Sequence, residues 1–425
     1  MSGYTLVLIF FILLLLRVPI GFAMGFACVG FILTNDIPFS VIPQVMMSLF
    51  ENFPFLAIPF FALAGQLMNT GGIARRLFSF AHALVGHIPG ALGHANIVAS
   101  IIFAGMSGSA VADTAGVGPI EIKAMVDDGY DADFSAAVTA ASSTIGPIIP
   151  PSIPFIIYGA MANVSVGALF LGGFIPGFIM GLALMVVVYF ISRRRNYRTY
   201  KRSTLRQLWQ AFLQASLPLF TPVIIMGGVI IGVATPTESA VLAVIYALIL
   251  GLFIYKEATI KSVFQDIAQV ARTIGMIGFL SCAAFLFGWI LTYEKIPQQF
   301  GDFLMAISSN KYVILLIINI LLLIVGCFMD TIAAMVVLIP VFLPTLKMYQ
   351  IDMVHFGVIL TLNLMIGLLT PPVGMCSFLV ADIAKVPFEK VIKAEMPFIY
   401  ILIVVLGIIT YFPETVLFLP KLLLK

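Results

Sequence analysis

The chain is poor in charged residues: Lys, Arg, Asp and Glu make up 10% of its 425 residues, whereas hydrophobic residues make up 61%. Soluble globular proteins carry about 25% charged residues, so this composition excludes a soluble fold and predicts a membrane protein with many spanning helices. Cysteine is also scarce. The four cysteines lie apart in apolar stretches without the spacing of metal ligands, which favours small buried side chains over disulfide or metal roles.

Several motifs are missing as well. The sequence has no Walker A loop, no Gly-rich dinucleotide loop and no His-Glu-x-x-His, which argues against ATP-driven transport or metalloprotease chemistry on this chain. His82, His87 and His94 are not spaced as a metal site. The first residues lack the charged region and cleavage site of a secretory signal, so residues 3–16 are predicted to be a retained membrane segment.

Long hydrophobic runs dominate what is present. A spanning helix needs about 20 apolar residues, and the runs predict membrane segments near 3–16, 19–34, 54–70, 134–165, 169–191, 216–233, 236–255, 268–291, 354–385 and 395–412. Two further apolar regions, 92–127 and 313–348, are interrupted at their centres by small or polar residues. We predict that these two are re-entrant helical hairpins, which enter and leave the membrane on the same side.

The basic residues are unevenly distributed along the chain. The run 192–206 holds seven Lys and Arg residues, so it is predicted to be cytoplasmic. Propagating the spans outward from this run places 17 of the 22 basic residues on the cytoplasmic side and five outside, with both termini outside. The external segment 35–53 contains no Lys or Arg, which agrees with this orientation.

Two proline pairs interrupt predicted spans. They lie in Gly146-Pro-Ile-Ile-Pro-Pro151 and Gly367-Leu-Leu-Thr-Pro-Pro372, which are 221 positions apart. A helix cannot run regularly through such a segment, because proline lacks the donor N–H and its ring clashes with the preceding turn. In lipid, broken backbone is tolerated only where it is buried in protein or lines a water-filled cavity. Interrupted segments at matching places in two halves therefore indicate the binding site of a transporter.

Other landmarks pair in the same way. Pro19 matches Pro236, and Asp113-Thr114 matches Asp330-Thr331, at a separation of 217, whereas Pro119 matches Pro340 at 221. A four-residue insertion in the second hairpin would reconcile the two separations. The predicted fold is an all-α polytopic membrane protein with an inverted-topology repeat, two re-entrant hairpins and two interrupted helices. Residues 1–191 form the first repeat, 192–215 a cytoplasmic linker and 216–425 the second repeat.

Small and hydroxyl-bearing residues occupy the predicted hairpin tips. Ser107 and Ser109 allow a sharp turn that leaves carbonyls and hydroxyls free of helical bonds, and such oxygens are the ligands an alkali cation needs. Close helix packing in lipid is the structural alternative for these serines. Unwound carbonyls and half-helix C-termini suit Na⁺, while half-helix N-termini suit an anion.

Asp113 and Asp330 are predicted to lie about one turn beyond the tips. An ionisable residue inside the membrane is a functional hypothesis by default. Three roles fit each carboxylate: binding a cation, carrying a proton, or capping the second helix of its hairpin. Capping is the better interpretation for Thr235-Pro-Thr-Glu238, which has the pattern of a capping box with Pro at the first helical position. The acidic stretch 127–133 predicts a solvated turn that caps the next helix.

Motifs along essentially the whole chain resemble one transporter family. The large membrane subunit of TRAP transporters, the tripartite ATP-independent periplasmic transporters of bacteria and archaea, is similar to the chain at 105–113, 149–152, 232–240 and 369–374. This resemblance implies a multi-pass protein of the bacterial inner membrane that imports an organic acid by sodium symport. It also implies a fold similar to elevator-type ion transporters, in which hairpins and broken helices move against a fixed scaffold.

The same resemblance implies partners, ions and site residues. The partners are a soluble periplasmic substrate-binding protein and a small four-helix membrane subunit, and two or more Na⁺ ions accompany the substrate. One Na⁺ site is assigned to Ser107, Ser109, Gly146, Ile149 and Pro151, and the other to Gly326, Asp330, Thr331, Gly367 and Thr370. Contacts to the substrate are assigned to Asp113, Ser143, Pro150 and Ser165. The implied substrates are sialic acids, C4-dicarboxylates and other carboxylates.

Three alternatives to this function are a self-sufficient symporter, a membrane enzyme and a channel. A self-sufficient Na⁺/carboxylate symporter without accessory subunits is the nearest alternative, because only the family resemblance calls for partners. An enzyme would need a nucleophile and a base at workable spacing, whereas the interrupted segments hold mainly Pro, Gly, Ser and Thr. A channel does not need two inverted half-sites, and saturable, ion-coupled flux distinguishes a carrier from it.

Overall fold

The computed structural model describes residues 1–51 and 53–424, and helices with no β-strand make up the regular structure of that part of the chain. Eight of the described helices are long and apolar enough to cross a membrane. The prediction of an all-α polytopic membrane protein is therefore confirmed. Single helices account for the predicted spans 3–16, 19–34, 169–191 and 395–412 to within a few residues at most ends.

The described part of the first half contains eleven α-helices. They are α1 (Gly3–Leu15), α2 (Ile20–Thr34), α3 (Val41–Ser48), α4 (Ala57–Thr70), α5 (Ile73–Val85), α6 (Ala91–Ser107), α7 (Ala110–Gly116), α8 (Gly118–Asp127), α9 (Ala132–Ser143), α10 (Ile153–Ala162) and α11 (Val166–Arg195). The chain bends by 120° between α6 and α7. Gly108 makes this reversal with φ +66°, in the left-handed region that favours glycine. The bend lies at the centre of the predicted hairpin 92–127.

The described part of the second half contains ten α-helices. They are α12 (Leu205–Ile231), α13 (Pro236–Leu248), α14 (Ile260–Tyr293), α15 (Ile296–Ile307), α16 (Lys311–Phe328), α17 (Thr331–Met348), α18 (Met353–Gly367), α19 (Met375–Ala384), α20 (Phe388–Tyr411) and α21 (Glu414–Leu423). A short π-helix, Ile249–Ile254, extends α13. Helices α16 and α17 occupy the region 313–348, and we keep the name second hairpin for this pair. Each is long and apolar enough to cross a membrane, so re-entrance stays a prediction. Both Pro-Pro segments are non-helical, between α9 and α10 and between α18 and α19, and both Pro-Pro peptide bonds are cis.

Side chains in the sequence explain several helix starts. The predicted capping box is confirmed: the Glu238 carboxylate accepts the Thr235 N–H at 2.7 Å, while the Thr235 hydroxyl accepts the Glu238 N–H at 3.2 Å. Capping boxes also begin α12 at Thr204 and α14 at Thr259. These reciprocal bonds satisfy N–H groups that the first helical turn leaves without partners.

The predicted linker 192–215 is shorter in the structure. Helix α11 continues to Arg195, and α12 begins at Leu205, so only residues 196–204 connect them. Arginines in the last turn of α11 are favourable there because cations stabilise a helix C-terminus. The capping box at Thr204 starts α12 earlier than hydropathy alone indicates. Helices α3 and α21 were not predicted, because both are shorter than a membrane span.

The acidic stretch 127–133 does more than form a solvated turn. Asp131 lies at the N-cap position of α9 but makes no side-chain capping bond. Its carboxylate instead accepts the Tyr197 hydroxyl at 2.6 Å and pairs with Arg195 at 2.7 Å. The hydrogen bond from Tyr197 and the charge of Arg195 lower the pKa of the Asp131 carboxyl. These contacts hold the connection after α11 against the start of α9.

The two halves interlock around the interrupted segments. Helix α10, which follows the first break, packs against α17 of the second hairpin. Helix α19, which follows the second break, packs against α7, α8 and α9 of the first half. The second part of each broken helix therefore packs against the other half of the molecule, so the two breaks lie in one interior.

Buried amide and hydroxyl groups tie each hairpin to a neighbouring broken helix. Asn96 of α6 donates to Thr139 of α9 at 2.7 Å and accepts the Ser142 hydroxyl at 2.6 Å. Asn363 of α18 donates to the Asn319 side-chain oxygen of α16 at 2.9 Å and to its carbonyl at 3.0 Å. In an apolar interior these polar groups need each other, so each tie fixes how its hairpin sits against the break.

We expect Asn363→Leu to destabilise the folded protein. The substitution leaves the buried Asn319 side-chain oxygen without its donor and removes a second bond to the Asn319 carbonyl, which costs about 1–3 kcal/mol of unfolding free energy. Thermal or denaturant unfolding in detergent measures the change. Gln214→Leu, at an exposed position of α12, is the control and should behave as the unaltered protein does. Equal stability of the two variants would contradict the proposed importance of the tie.

Candidate functional site

The tip of the first hairpin touches the first break, and we call this contact the first junction. It comprises residues 107–113, from the tip into the first turn of α7, and residues 144–153 around the first Pro-Pro pair. The Gly108 carbonyl accepts the Ile153 N–H at 3.3 Å. A Cβ atom on Gly108 would lie 2.6 Å from the Pro151 carbonyl oxygen, so any larger residue would push the tip away from the break.

Asp113 lies inside the first junction with two of the predicted ion ligands. Its side chain is buried, and one carboxylate oxygen accepts the Ser107 hydroxyl. The other carboxylate oxygen, Oδ2, is buried without a hydrogen-bond partner among the described residues. A Cβ atom on Gly146 would overlap this oxygen, so Asp113 faces the backbone of the break. The Ser107 hydroxyl and the backbone of Gly146 thus both lie next to the Asp113 carboxylate, and Ser109 beside them caps α7.

The tip of the second hairpin touches the second break in the same manner, and we call this contact the second junction. It comprises residues 326–331 between α16 and α17 and residues 367–374 around the second Pro-Pro pair. A Cβ atom on Gly367 would lie 2.6 Å from the Gly326 Cα, so the two backbones are in direct contact. The Cys327 carbonyl accepts the Val373 N–H at 3.2 Å. Thr370 lies here too, with its hydroxyl bonded to the Ile366 carbonyl at 2.7 Å.

Asp330 does not occupy the place predicted for it. It lies at the tip itself, as the N-cap of α17, and its carboxylate accepts the Ile332 N–H at 3.0 Å. Ser109 has this position in the first hairpin, where it caps α7. The sequence match of Asp113 with Asp330 therefore fails in three dimensions, because Asp113 lies one turn further along its helix. Ser109 and Asp330 are 221 positions apart, so the four-residue insertion is not in the second hairpin.

Thr331 completes the second junction. Its side chain is buried, and its hydroxyl oxygen has no hydrogen-bond partner among the residues that the structure describes. Each junction thus contains one buried oxygen atom without a donor, Asp113 Oδ2 in the first and Thr331 Oγ1 in the second. Unsatisfied buried oxygens of this kind are costly unless a ligand satisfies them.

The remaining predicted residues are placed less centrally. Ser143 is buried at the end of α9, with its hydroxyl bonded to the Thr139 carbonyl at 2.7 Å, and Ile149 packs against Gly177 of α11. Pro150 and Pro151 lie within the first break. Ser165 is exposed at the N-cap of α11, where it accepts the Ala168 N–H at 3.3 Å. The whole of α10 separates Ser165 from the first junction, so the structure does not bring it to the other predicted residues.

Three buried carboxylates were not predicted: Glu121, Asp266 and Glu395. Glu121 on α8 and Glu395 on α20 are 1% and 0% exposed. Helix α8 packs against α7, which carries Asp113, and Glu395 accepts the Ser377 hydroxyl at 2.6 Å. In the sequence, each is an acidic residue in a largely apolar helical stretch, and this pattern is the same for a buried and for an exposed carboxylate. Only the folded structure shows that these side chains are buried.

The electrostatic character of this interior favours cations. None of the salt bridges within residues 1–51 and 53–424 involves Asp113, Glu121, Asp330 or Glu395. The lysines on or next to α8, α16, α17, α19 and α20 are all exposed: Lys123, Lys311, Lys347, Lys385, Lys390 and Lys393. Helix α19 packs against α7 of the first hairpin, and its Cys376 N–H donates to the Leu368 carbonyl of the second break at 3.2 Å, so α19 lies beside both junctions. Buried carboxylates without a basic partner need a bound cation or a proton.

Comparison with known proteins identifies the family. The family model described as "Tripartite ATP-independent periplasmic transporter, DctM component" matches residues 7–415. The chain belongs to this family. It is 44% identical to the sialic acid TRAP transporter large permease protein SiaM of Vibrio cholerae, over 97% of each chain. It is also 40% identical to the C4-dicarboxylate TRAP transporter large permease protein DctM of Pseudomonas aeruginosa, over 87% of each chain.

Solved structures share the fold at low sequence identity. The YdaH transporter of Alcanivorax borkumensis matches with a TM-score of 0.59 and 14% identity, over 89% of this chain and 90% of that one. The MtrF structure of Neisseria gonorrhoeae matches with a TM-score of 0.56, also at 14% identity, over 90% of this chain and 85% of that one. At this identity the likeness concerns the fold alone.

We expect Gly367→Ala to destabilise the second junction. The new methyl group would lie 2.5–2.6 Å from backbone atoms of Gly326, which cannot rearrange as a flexible side chain does. Overpacking of this kind costs about 1–3 kcal/mol of unfolding free energy. Gly275→Ala is the matched control, because that helical glycine has no atom within 4 Å of the added Cβ. Thermal unfolding in detergent compares the two, and unchanged stability of Gly367→Ala would contradict the described contact.

Proposed function

We propose that this permease imports an organic acid anion by Na⁺-coupled secondary active transport. The observation that carries the proposal is the pair of junctions, each with a buried oxygen lacking a donor, in an interior whose carboxylates have no basic partner among the described residues. An anionic substrate would be repelled by such an interior unless cations entered with it. Cation binding therefore both stabilises the junctions and makes the site suitable for an anion.

Sodium suits the oxygen atoms of the two junctions. In the first, the Ser107 hydroxyl, the Asp113 carboxylate and the backbone near Gly146 face each other. In the second, Thr331 and Thr370 supply hydroxyls beside the contact of Gly326 with Gly367. Hydroxyl, carboxylate and carbonyl oxygens are suitable ligands for a hard cation. We assign one Na⁺ to each junction, with Asp113 as an ion ligand rather than a substrate contact.

The two halves support an inverted-repeat and elevator interpretation. In each half an amphipathic helix, α5 or α15, precedes a hairpin, an interrupted helix and a long closing helix in the same order. In the orientation predicted from the basic residues, the first hairpin would enter the membrane from the cytoplasmic side and the second from outside. Under this proposal, α6–α11 and α16–α20 hold the ions and substrate and move together, while α1, α2, α4 and α12–α14 stay in the membrane as a scaffold.

The driving force is adequate for accumulation. One elementary charge crossing 100 mV provides about 2.3 kcal/mol. Two Na⁺ ions with a monoanion carry one net positive charge inward, so the membrane potential adds to the sodium gradient. A multi-pass location in the bacterial inner membrane, where both gradients exist, fits this mechanism.

Substrate and partners are proposed from the relatives. The similar proteins are named for sialic acid and for C4-dicarboxylates, which are all organic acid anions. The chain also covers 69% of the longer sialic acid TRAP transporter permease protein SiaT of Haemophilus influenzae, at 41% identity. We propose a sialic acid or C4-dicarboxylate as substrate, a periplasmic binding protein that delivers it, and a small four-helix membrane subunit. A self-sufficient symporter remains the alternative function.

Sodium coupling predicts a specific effect of Thr370→Val. Removing the hydroxyl, at nearly constant shape, should raise the Na⁺ concentration for half-maximal uptake about tenfold, the size expected for one lost ligand interaction. Uptake of labelled substrate into proteoliposomes, with all partners present, measures this concentration. A proton gradient without Na⁺ should not drive uptake.

The matched control is Thr273→Val on α14. Its hydroxyl also bonds the carbonyl four residues earlier, at 3.2 Å, but Thr273 is exposed and far along the chain from either junction. This variant should keep the unaltered sodium dependence. Equal effects of the two substitutions, or uptake driven as well by protons alone, would contradict sodium binding at the second junction.

Dependence on the binding protein separates the two candidate functions. Proteoliposomes that contain this chain and the small subunit should take up substrate only after the periplasmic protein is added. Uptake that saturates with substrate in the absence of the binding protein would decide for the self-sufficient symporter.

A further inference from the structure

Glu395 lies behind the second break rather than in the ion sites described above. It is fully buried on α20, and its Oε2 accepts the Ser377 hydroxyl at 2.6 Å. Oε1 has no hydrogen-bond partner among the described residues. Burying a carboxylate with a single hydrogen-bond donor costs folding free energy. Glu395 has no role in the transport mechanism proposed above.

The Ser377 hydroxyl has two acceptors but only one hydrogen. Besides Glu395 at 2.6 Å, it lies 3.4 Å from the Leu369 carbonyl oxygen. Because the shorter contact takes the hydrogen, Glu395 keeps Ser377 from bonding strongly to Leu369. Leu369 lies in the second break, after the end of α18 and before the start of α19. Its carbonyl oxygen therefore accepts no hydrogen bond within either helix.

We infer that Glu395 is a positioning residue for the second junction: by binding Ser377, it leaves the Leu369 carbonyl free to coordinate a cation. The inference rests on the proposed sodium coupling and adds a residue that touches neither ion nor substrate. Without an acceptor at position 395, the Ser377 hydroxyl would turn to the Leu369 carbonyl, and sodium would have to displace that hydrogen bond.

The first junction has no such pair. Ile148 corresponds to Leu369 at the separation of 221 that relates the Pro-Pro pairs. After the breaks the starts of α10 and α19, and of α11 and α20, are 222 positions apart, so Phe155 corresponds to Ser377 and Gly173 to Glu395. Gly173 lies directly against the Ile148 carbonyl and the Phe155 ring, so backbone and aromatic packing occupy the place of the hydroxyl and the carboxylate. Helix α10 begins at Ile153 and α19 at Met375, so Phe155 and Ser377 are both third residues of their half-helices. The polar pair is therefore an addition specific to the second break.

Glu395→Met tests the inference, because methionine has a similar length but accepts no strong hydrogen bond. The Na⁺ concentration for half-maximal uptake should rise about fivefold to tenfold, the size of one competing hydrogen bond. Glu395→Gln keeps an acceptor for Ser377 and should stay within about twofold of the unaltered protein. Proteoliposomes with all partners present are used throughout, and each variant is first shown to be monodisperse after purification.

The double variant Glu395→Met with Ser377→Ala separates positioning from simple damage to the fold. It removes the hydroxyl that would capture the Leu369 carbonyl, so sodium dependence should return to within about twofold of the unaltered protein. A purely structural role predicts that the double variant is no better than Glu395→Met. Absence of rescue, an unchanged Glu395→Met, or a Glu395→Gln as defective as Glu395→Met would each overturn the inference.

Failure of the inference is distinguishable from failure of the proposed function. If uptake by the unaltered protein does not depend on Na⁺, the sodium coupling itself is wrong. If the unaltered protein requires Na⁺ and Glu395→Met requires it at the same concentration, only the role of Glu395 is wrong.

Discussion

Backbone polar groups cannot remain without partners inside a bilayer, and this constraint governs the structure. The chain breaks two helices at Pro-Pro pairs, where the regular helical bonds are lost. Each break is covered by a hairpin tip, through the bond from Ile153 to Gly108 in the first junction and from Val373 to Cys327 in the second. Glycines at the contacts, such as Gly108 and Gly367, allow backbone to meet backbone. The hairpins are therefore needed to bury the breaks, and the breaks provide the oxygen atoms that the proposed sodium sites require.

The absence of basic partners gives this interior its chemical character. Asp113 and Glu395 are buried in the described structure without a salt bridge, and each keeps one oxygen without a donor. Helix α19 packs against α7 and bonds to the second break through Cys376, and it carries Ser377, which links Glu395 to the second break. An interior of this kind favours cations before anions, which explains physically why a carrier for organic acids would couple to sodium. The family to which the chain belongs transports such acids in the relatives named for sialic acid and C4-dicarboxylates.

Sequence patterns predicted the helices, the breaks and the first hairpin tip better than they predicted which residues correspond between the two halves. The Pro-Pro pairs located both breaks, and the Gly-Ser run near Gly108 located the first hairpin tip, because these residues act on the local backbone. The match of Asp113 with Asp330 was misleading, since identical residues at a similar spacing lie at different places relative to the chain reversal. Ser165 was assigned to the site but caps α11 at the far end of α10. Glu395 was overlooked, because nothing in the sequence around it indicates its burial against Ser377.

The sequence by itself determined the membrane class, most of the helical spans, the basic connection after α11, the two breaks and the family, because composition, hydropathy and proline act locally or appear as motifs. Only the tertiary structure decided which oxygen atoms come together. Helices α10 and α19 cross into the opposite halves, and this crossing brings residues more than 200 positions apart into one interior. Packing between distant helices also decided that Asp113 faces Gly146 and that Ser377 meets Glu395. Such contacts depend on the geometry of the whole bundle, which no local pattern encodes.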